Sequence, residues 1–315
     1  MSQQDDIKDH LMKEAKAFDR HISERIKHGF VPDLQNLKPV DWFYNNVWRE
    51  PEIFEIQWGE RIRQLIENAH QQGGRVLEVG CGSGFIALEL VRAGLEVTAV
   101  DLSPESIKIA ESYAKSILGD NELSRLDYQC MDVMECGFAA ASFDTIVCFR
   151  SLHHMADLAA IVSRIQEWLK PRGLFLISEP IRAGFDVQSA ELAALLRVLL
   201  PTWQDKTTVI EGVWDDSRWE QQVGVVLHEY KMECDHKQSP LDNTTDDFSM
   251  YANVLAEGFD LEKTEFADAF VDKLLGGLRG DNRFQLARFL KFYDDYLVRH
   301  QLMPPTSVEI VARKS

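Results

Sequence analysis

The sequence predicts a doubly wound α/β domain with helical additions, and two observations carry that reading. From Arg75 to Pro180, short apolar runs alternate with runs whose apolar residues fall at helical spacing. That order of elements builds a mostly parallel sheet covered on both faces. The first apolar run, RVLEVG, opens into a turn with glycines at Gly80, Gly82 and Gly84, and a helical segment follows. In sheets of this kind ligands lie outside the carboxyl ends of the strands.

The elements follow in order. Residues 1–38 read as a polar helix or two, ending near Pro32 and Pro39. After the aromatic-rich DWFYNNVW, the residues Ile53, Ile56, Ile62, Leu65 and Ile66 recur at helical spacing until Gly73-Gly74 stops the helix. RVLEVG is a strand and FIALELVRAG a helix closed by Gly94. LEVTAVD is the second strand, and the helix after it has Ser103 to cap its amide end and Pro104 in its first turn. LDYQCMD and FDTIVCF are the third and fourth strands, Met155 to Leu169 is helical up to Pro171, and GLFLISE is the fifth strand. Beyond Pro180 the regularity breaks. Residues 181–240 read as mostly helical, TTDDFSMYANVLAEGF as a capped helix ending at Gly258, and FDLEKTEFAD as a strand. Residues 268–303 are helical again, and TSVEIVARK is the closing strand. The expected organisation is a helical cap (1–74), a core (75–180), a helical lid insertion with a return helix (181–257), and C-terminal core strands (258–315) with a helical insertion at about 268–303.

Composition narrows the classes. A chain of 315 residues, 45% hydrophobic, suffices for one large α/β domain with additions or for two domains. Its 34 Lys and Arg face 51 Asp and Glu, a net charge of −17 with no basic stripe, so nucleic acid is not an expected partner. The charged N-terminus lacks a signal-peptide core, and no run of about 18 apolar residues occurs, so no membrane span is expected. Cys81, Cys130, Cys136, Cys148 and Cys234 are scattered without a CxxC pair, as suits reduced thiols in a cytoplasm.

The glycine turn admits two kinds of ligand. A dinucleotide fingerprint requires a third Gly or Ala where Phe85 stands, and a bulky ring opposes the close packing that the small residue permits. The pattern present is Glu78-x-Gly80-x-Gly82-x-Gly84. Asp101 ends the second strand in AVDLSP, where a carboxylate can accept both hydroxyls of a ribose. Asp132, in CMDV after the third strand, can accept from an exocyclic amine such as that of adenine.

Taken together, VLEVGCGSGF, AVDLSP, CMDV, SFDTIVCFRSLHHM and LKPRGLFLISEP resemble the class I S-adenosylmethionine-dependent methyltransferases, with a core like that of the ubiquinone/menaquinone methyltransferases. The resemblance covers about residues 75–180 and implies a seven-stranded, Rossmann-like sheet whose last strand, 307–313, is antiparallel. It implies S-adenosylmethionine as cofactor. Glu78, Gly80 and Gly82 would line its methionine end, with Cys81 and Gly84 in the same turn. Asp101 and Leu102 would hold the ribose, Asp132 and Val133 the adenine, and Phe149 and Arg150 would close the site.

For a hydroxyl acceptor, His153 or His154 just beyond the fourth strand is a candidate general base, although the pair can equally orient the loop. A metal on His153, His154 and Asp157 is not expected, since no further ligand stands at a diagnostic spacing. His228 and His236 lie in the lid insertion. The segment after the fourth strand reads CFRSLHH, not [DN]PP[YF], which turns the expectation away from amino groups of adenine or glutamine. A small organic acceptor, methylated most readily on a hydroxyl oxygen in a biosynthetic pathway, fits best. Trp203, Trp214, Trp219, Phe284, Phe289, Phe292 and Tyr293 of the insertions are expected to wall an apolar pocket or to form the insertions' own core. Phe289, Phe292 and Tyr293 read as packing residues by their helical spacing. Trp42, Phe43, Tyr44 and Trp48 are expected to form an N-terminal flap. Alternative readings are a methyltransferase acting on a macromolecule, a non-catalytic adenosyl-binding regulator, and a nicotinamide dehydrogenase, the last opposed by Phe85.

Overall fold

A computed structural model describes residues 3–40, 46–200, 212–231, 239–243 and 246–315. Seven strands lie in it: β1 (Arg75–Val79), β2 (Glu96–Asp101), β3 (Leu126–Cys130), β4 (Phe143–Phe149), β5 (Leu169–Pro180), β6 (Phe259–Ala267) and β7 (Ser307–Lys314). They form one sheet in the order β3–β2–β1–β4–β5–β7–β6. The first five pair in parallel, and β7 runs antiparallel between β5 and β6, as the resemblance implied.

Along β1 successive side chains point to opposite faces, and both faces are covered. Val76 meets α3 (Glu60–Gln72), following α1 (Gln3–Lys27) and α2 (Pro51–Phe54) in the chain, and α4 (Phe85–Arg92). α5 (Pro104–Ile117) lies on this face, followed by the short α6 (Asp120–Leu123). Leu77 points to the other face, under α7 (Leu158–Trp168). Each such fully buried aliphatic side chain stabilises the fold by roughly 1.5–3 kcal/mol. The insertions, α8 (Val187–Leu199), α9 (Asp216–Lys231), the segment 269–278 and α11 (Arg283–Arg299), pack on one another around a separate core. At its centre Phe185 stacks on Tyr230 at 4.1 Å. α10 (Phe248–Leu255) returns the chain to the core beside α7.

Several expectations shift. Residues 152–154 form a 3-10 turn, so α7 starts at Leu158, where the Asp157 side chain accepts from Ala160 N–H at 2.9 Å. Only part of 268–303 is α-helical. Residues 271–273 and 275–277 are 3-10 turns, and the buried Asp294 carboxylate accepts the N–H groups of Ala269, Phe270 and Val271 just before and within the first. Phe289, Phe292 and Tyr293 do not join the core of the insertions. They are 59%, 58% and 38% exposed, because α11 turns Ala287, Leu290, Asp294 and Leu297 inward and the aromatic stripe falls on the opposite face. Trp219 joins the core of the insertions, and Trp214 lies 6.3 Å from it. Trp42, Phe43, Tyr44, Trp203, Cys234 and His236 lie outside the described residues. Among the described residues no helix is long and apolar enough to cross a membrane.

Buried carboxyls leave a signature in stability. Burial raises Glu179 and Glu309 to about 7, against the pull of neighbouring N–H groups and Arg61. Asp294 is raised by burial and then by Asp268. The folded chain therefore retains protons that the unfolded chain has released, and this contribution is present below the ordinary carboxylate range and lost as pH rises through about 7. The melting temperature is expected to fall by several degrees from about pH 5 to about pH 8, and Glu309→Gln to flatten that slope. A melting curve independent of pH over this range would contradict the burial of these groups.

Candidate active site

The site lies where the strand order reverses, between β1 and β4, at the carboxyl ends. β1 delivers the chain into the glycine turn. Gly80 has φ 73°, and a side chain there would run into Ser151 Cβ from the loop after β4. The N–H groups of Gly80 and Cys81 both donate to Val100 O, at 2.8 and 3.0 Å, which lashes the turn to β2. Space for a side chain at Gly82 is empty, and it faces a cavity of about 420 Å³.

Asp101 closes the turn from below. One carboxylate oxygen accepts from Gly82 N–H and the other from Ser103 N–H, each at 2.8 Å. Glu78, the last but one residue of β1, is 2% exposed. Its Oε2 is buried and meets no donor among the described residues. Burial, then the charge of Asp101, raises its carboxyl well above the usual range. An unsatisfied buried acceptor beside an open glycine is a place for a ligand ammonium or hydroxyl group. Asp132 caps the next turn by accepting from Met134 N–H at 2.9 Å and lines the same cavity with Val133 and Leu102. These residues thus form one continuous wall with room and acceptors for the adenosyl, ribose and amino-acid parts of S-adenosylmethionine.

Beyond β4 the wall becomes basic and aromatic. Phe149 stands edge-on to Phe85 at 5.9 Å and to Trp58 at 5.8 Å. His153, 5% exposed, places Nδ1 at 2.6 Å from Glu179 Oε2 at the end of β5. The other Glu179 oxygen accepts the N–H groups of Ser151 and Leu152, both at 2.7 Å. Burial, then His154 and Arg150, holds the His153 ring well below the ordinary histidine range. The ring is therefore neutral, with Nδ1–H donating to Glu179 and Nε2 left as an acceptor. His154 is placed differently. Its Nδ1 faces Glu14 of α1 at 2.9 Å and Ser239 at 3.1 Å, and its ring meets Phe18. Asp157 is spent as the cap of α7.

The roof comes from the N-terminal cap more than from the insertions. α1 is fastened to the start of α5 by Asp19, which accepts from Ser103 Oγ at 2.6 Å and Glu105 N–H at 3.1 Å. The aromatic lining is Phe18, Trp48, Phe54 and Trp58, in place of the insertion aromatics expected from the sequence. Trp58 sits in the π-helical turn Glu55–Gly59, a local widening common at functional sites. The insertions contribute polar residues instead, Arg182, Glu229, Asp272 and Lys273; His228 does not line the cavity. Sequence reasoning missed Glu179, Glu14 and these four. Of them only Glu179 carried a signal, a lone charge at the end of the apolar strand GLFLISE.

A sequence model of a methyltransferase domain matches residues 54–210. A ubiquinone biosynthesis O-methyltransferase of Xanthomonas axonopodis pv. citri (strain 306) is 33% identical over 141 residues, 43% of this chain and 57% of that protein. The chain belongs to the class I S-adenosylmethionine-dependent methyltransferases. The Xylella fastidiosa (strain 9a5c) protein of the same name is 36% identical over 119 residues, 38% of this chain and 46% of its own. The matched part thus spans about half the length of these relatives. Among solved structures, the geranyl diphosphate C-methyltransferase of Streptomyces coelicolor A3(2) superposes with a TM-score of 0.54 at 13% identity, covering 97% of this chain and 98% of that one. The [4+2]-cyclase SpnF does so with a TM-score of 0.50 at 15% identity, covering 96% and 94%. These two share the class I methyltransferase fold and bear different activities, so chemistry must be argued from the site.

Proposed function

We propose that this chain transfers the methyl group of S-adenosylmethionine to a hydroxyl oxygen of a small organic acceptor, with His153 as general base. The observation that carries the reading is His153, in the wall of the cavity that begins at the glycine turn and held there by the buried Glu179 carboxylate. The curated relatives named as O-methyltransferases support it over the matched half of their length.

The cofactor, when bound, supplies a methyl group on a positively charged sulfur that departs as a neutral thioether. Glu78, Gly80 and Gly82 would hold its amino-acid end, Asp101 its ribose, and Asp132 with Val133 its adenine. Glu179 fixes the His153 tautomer, so Nε2 can take the proton of an acceptor hydroxyl as its oxygen attacks. No described residue occupies Nε2. The roof of α1 and residues 46–58 excludes water and confines the acceptor, which is where most of the acceleration in such a displacement arises. We assign His154 to holding α1 over the cavity, through Glu14 and Ser239, and not to proton transfer.

The first test is a calorimetric titration with S-adenosylhomocysteine, with NAD as control, followed by product analysis on hydroxylated small molecules. Binding of the first ligand alone and formation of a methyl ether are expected. Failure to bind S-adenosylhomocysteine, or methylation confined to nitrogen or carbon, would overturn the proposal.

A further inference from the structure

Gln57 lines the cavity with one half of its amide engaged and the other half unmatched. It belongs to the π-helical turn Glu55–Gly59, beside Trp58, and is 2% exposed. Its Nε2 donates to Asp268 Oδ1 at 3.2 Å. The buried Asp268 carboxylate also accepts two bonds from Arg61, both at 2.7 Å. Burial pushes the Asp268 carboxyl up, but Arg61 and then Lys291 outweigh it and hold the group below the usual carboxylate range. An ionised carboxylate only accepts, so the Gln57 amide has one orientation, nitrogen toward Asp268 and carbonyl away from it. Gln57 Oε1 is thereby left buried, with no donor among the described residues.

The network behind Gln57 shows which end of the cavity it serves. Arg61 also donates to Ser307 Oγ at 3.4 Å, and that hydroxyl donates to Glu179 O at 3.5 Å, the backbone of the residue whose carboxylate holds His153. Arg150 donates to the same Ser307 hydroxyl at 3.3 Å, and the Arg61 and Arg150 guanidinium groups each lie 5.0 Å from the Trp58 ring centre. Gln57 thus belongs to the side of β5 and β7, with the base, whereas the unmatched Glu78 Oε2 belongs to β1 and the glycine turn. A buried carbonyl without a donor is destabilising, and in a cavity wall a ligand can supply the missing bond. We propose that Gln57 is a specificity-determining residue for the acceptor, its Oε1 accepting from a second hydroxyl, so that the acceptor carries two: one methylated beside His153 and one held by Gln57. The donor is an uncharged hydroxyl because Arg150, which acts electrostatically on both Asp268 and His153, opposes an ammonium group there. The inference rests on the methyl-transfer reading and adds the acceptor's chemical class. A site built to bond a hydroxyl rejects the analogue that lacks it, because its own buried group then stays unpaired.

The test uses the full chain saturated with S-adenosylhomocysteine and titrated by calorimetry with the dihydroxybenzene isomers against phenol, and with vicinal cyclohexanediol against cyclohexanol. At least one diol is expected to bind about tenfold or more tightly than its single-hydroxyl counterpart. Gln57→Leu should remove that preference, and Gln57→Met should do so if the leucine variant is unstable, with S-adenosylhomocysteine affinity unchanged in both. A purely structural role would weaken both members of a pair alike and leave their ratio in place. The proposal is overturned if no diol is preferred, if the preference survives both substitutions, or if the variants lose S-adenosylhomocysteine affinity instead. That last result would give Gln57 Oε1 to the cofactor. Failure of the native chain to bind S-adenosylhomocysteine would strike the methyl-transfer reading and this inference with it, whereas a loaded chain indifferent to the second hydroxyl strikes this inference alone.

Discussion

Replacing His153 with alanine is expected to lower kcat by about 10²- to 10⁴-fold, the usual contribution of a positioned base, while leaving S-adenosylhomocysteine affinity unchanged. The geometry separates these effects, because His153 leans on Glu179 and not on the glycine turn. The pH dependence follows from the same pair. Burial, then His154 and Arg150, keeps the imidazole neutral across the working range, so the proton that must leave is the one on Glu179, raised by burial to about 7. The rate should rise as pH passes through about 7, with the limb belonging to the pair as a unit. In Glu179→Gln that limb should vanish and kcat should fall, because the ring loses the carboxylate that fixes its tautomer. A His153→Ala enzyme with full rate would return this histidine to a structural role, and an unchanged limb in Glu179→Gln would place the titrating group elsewhere.

Replacing Asp101 with alanine is expected to weaken S-adenosylhomocysteine binding by about 10²-fold, or ~3 kcal/mol. Two losses combine. The ribose loses its acceptor, and the Gly82 and Ser103 N–H groups lose theirs, so the turn that shapes the cavity floor is no longer tied to β2 from that side. Asp101→Asn, which keeps one acceptor oxygen, should fall between alanine and the native residue. Calorimetry on the three proteins orders them. Equal affinities would remove Asp101 from the ribose.

The fold was legible in the sequence, and so were the residues that gather where the strands end. Strand and helix periodicities are local, and the residues along one wall of the cavity follow successive strands: Gly80 after β1, Asp101 at the end of β2, Asp132 after β3. Each is found by reading to the end of a strand, because a parallel sheet brings all its carboxyl ends to one edge. The Ser103 cap was legible for the same reason: its bond to Ser106 N–H spans three residues.

The other end of the cavity was not legible in this way. Glu179 reaches His153 across 26 residues, and Glu14 reaches Ser239 across 225. Arg150, Arg182 and Lys273 meet only because three loops end above one cavity. Periodicity also misled where a helix offers two apolar stripes. On α11 the smaller stripe, Ala287, Leu290 and Leu297, is buried and the aromatic one is exposed, a choice made by the shape of the neighbouring segment 269–278 and by the Asp294 cap. What the sequence determined by itself was the order of elements and which residues end the strands beside one another, because those depend on neighbours in the chain. What only the tertiary structure decided was which histidine holds a buried carboxylate, which helix roofs the cavity and where the cations gather, because those depend on segments brought together by packing alone.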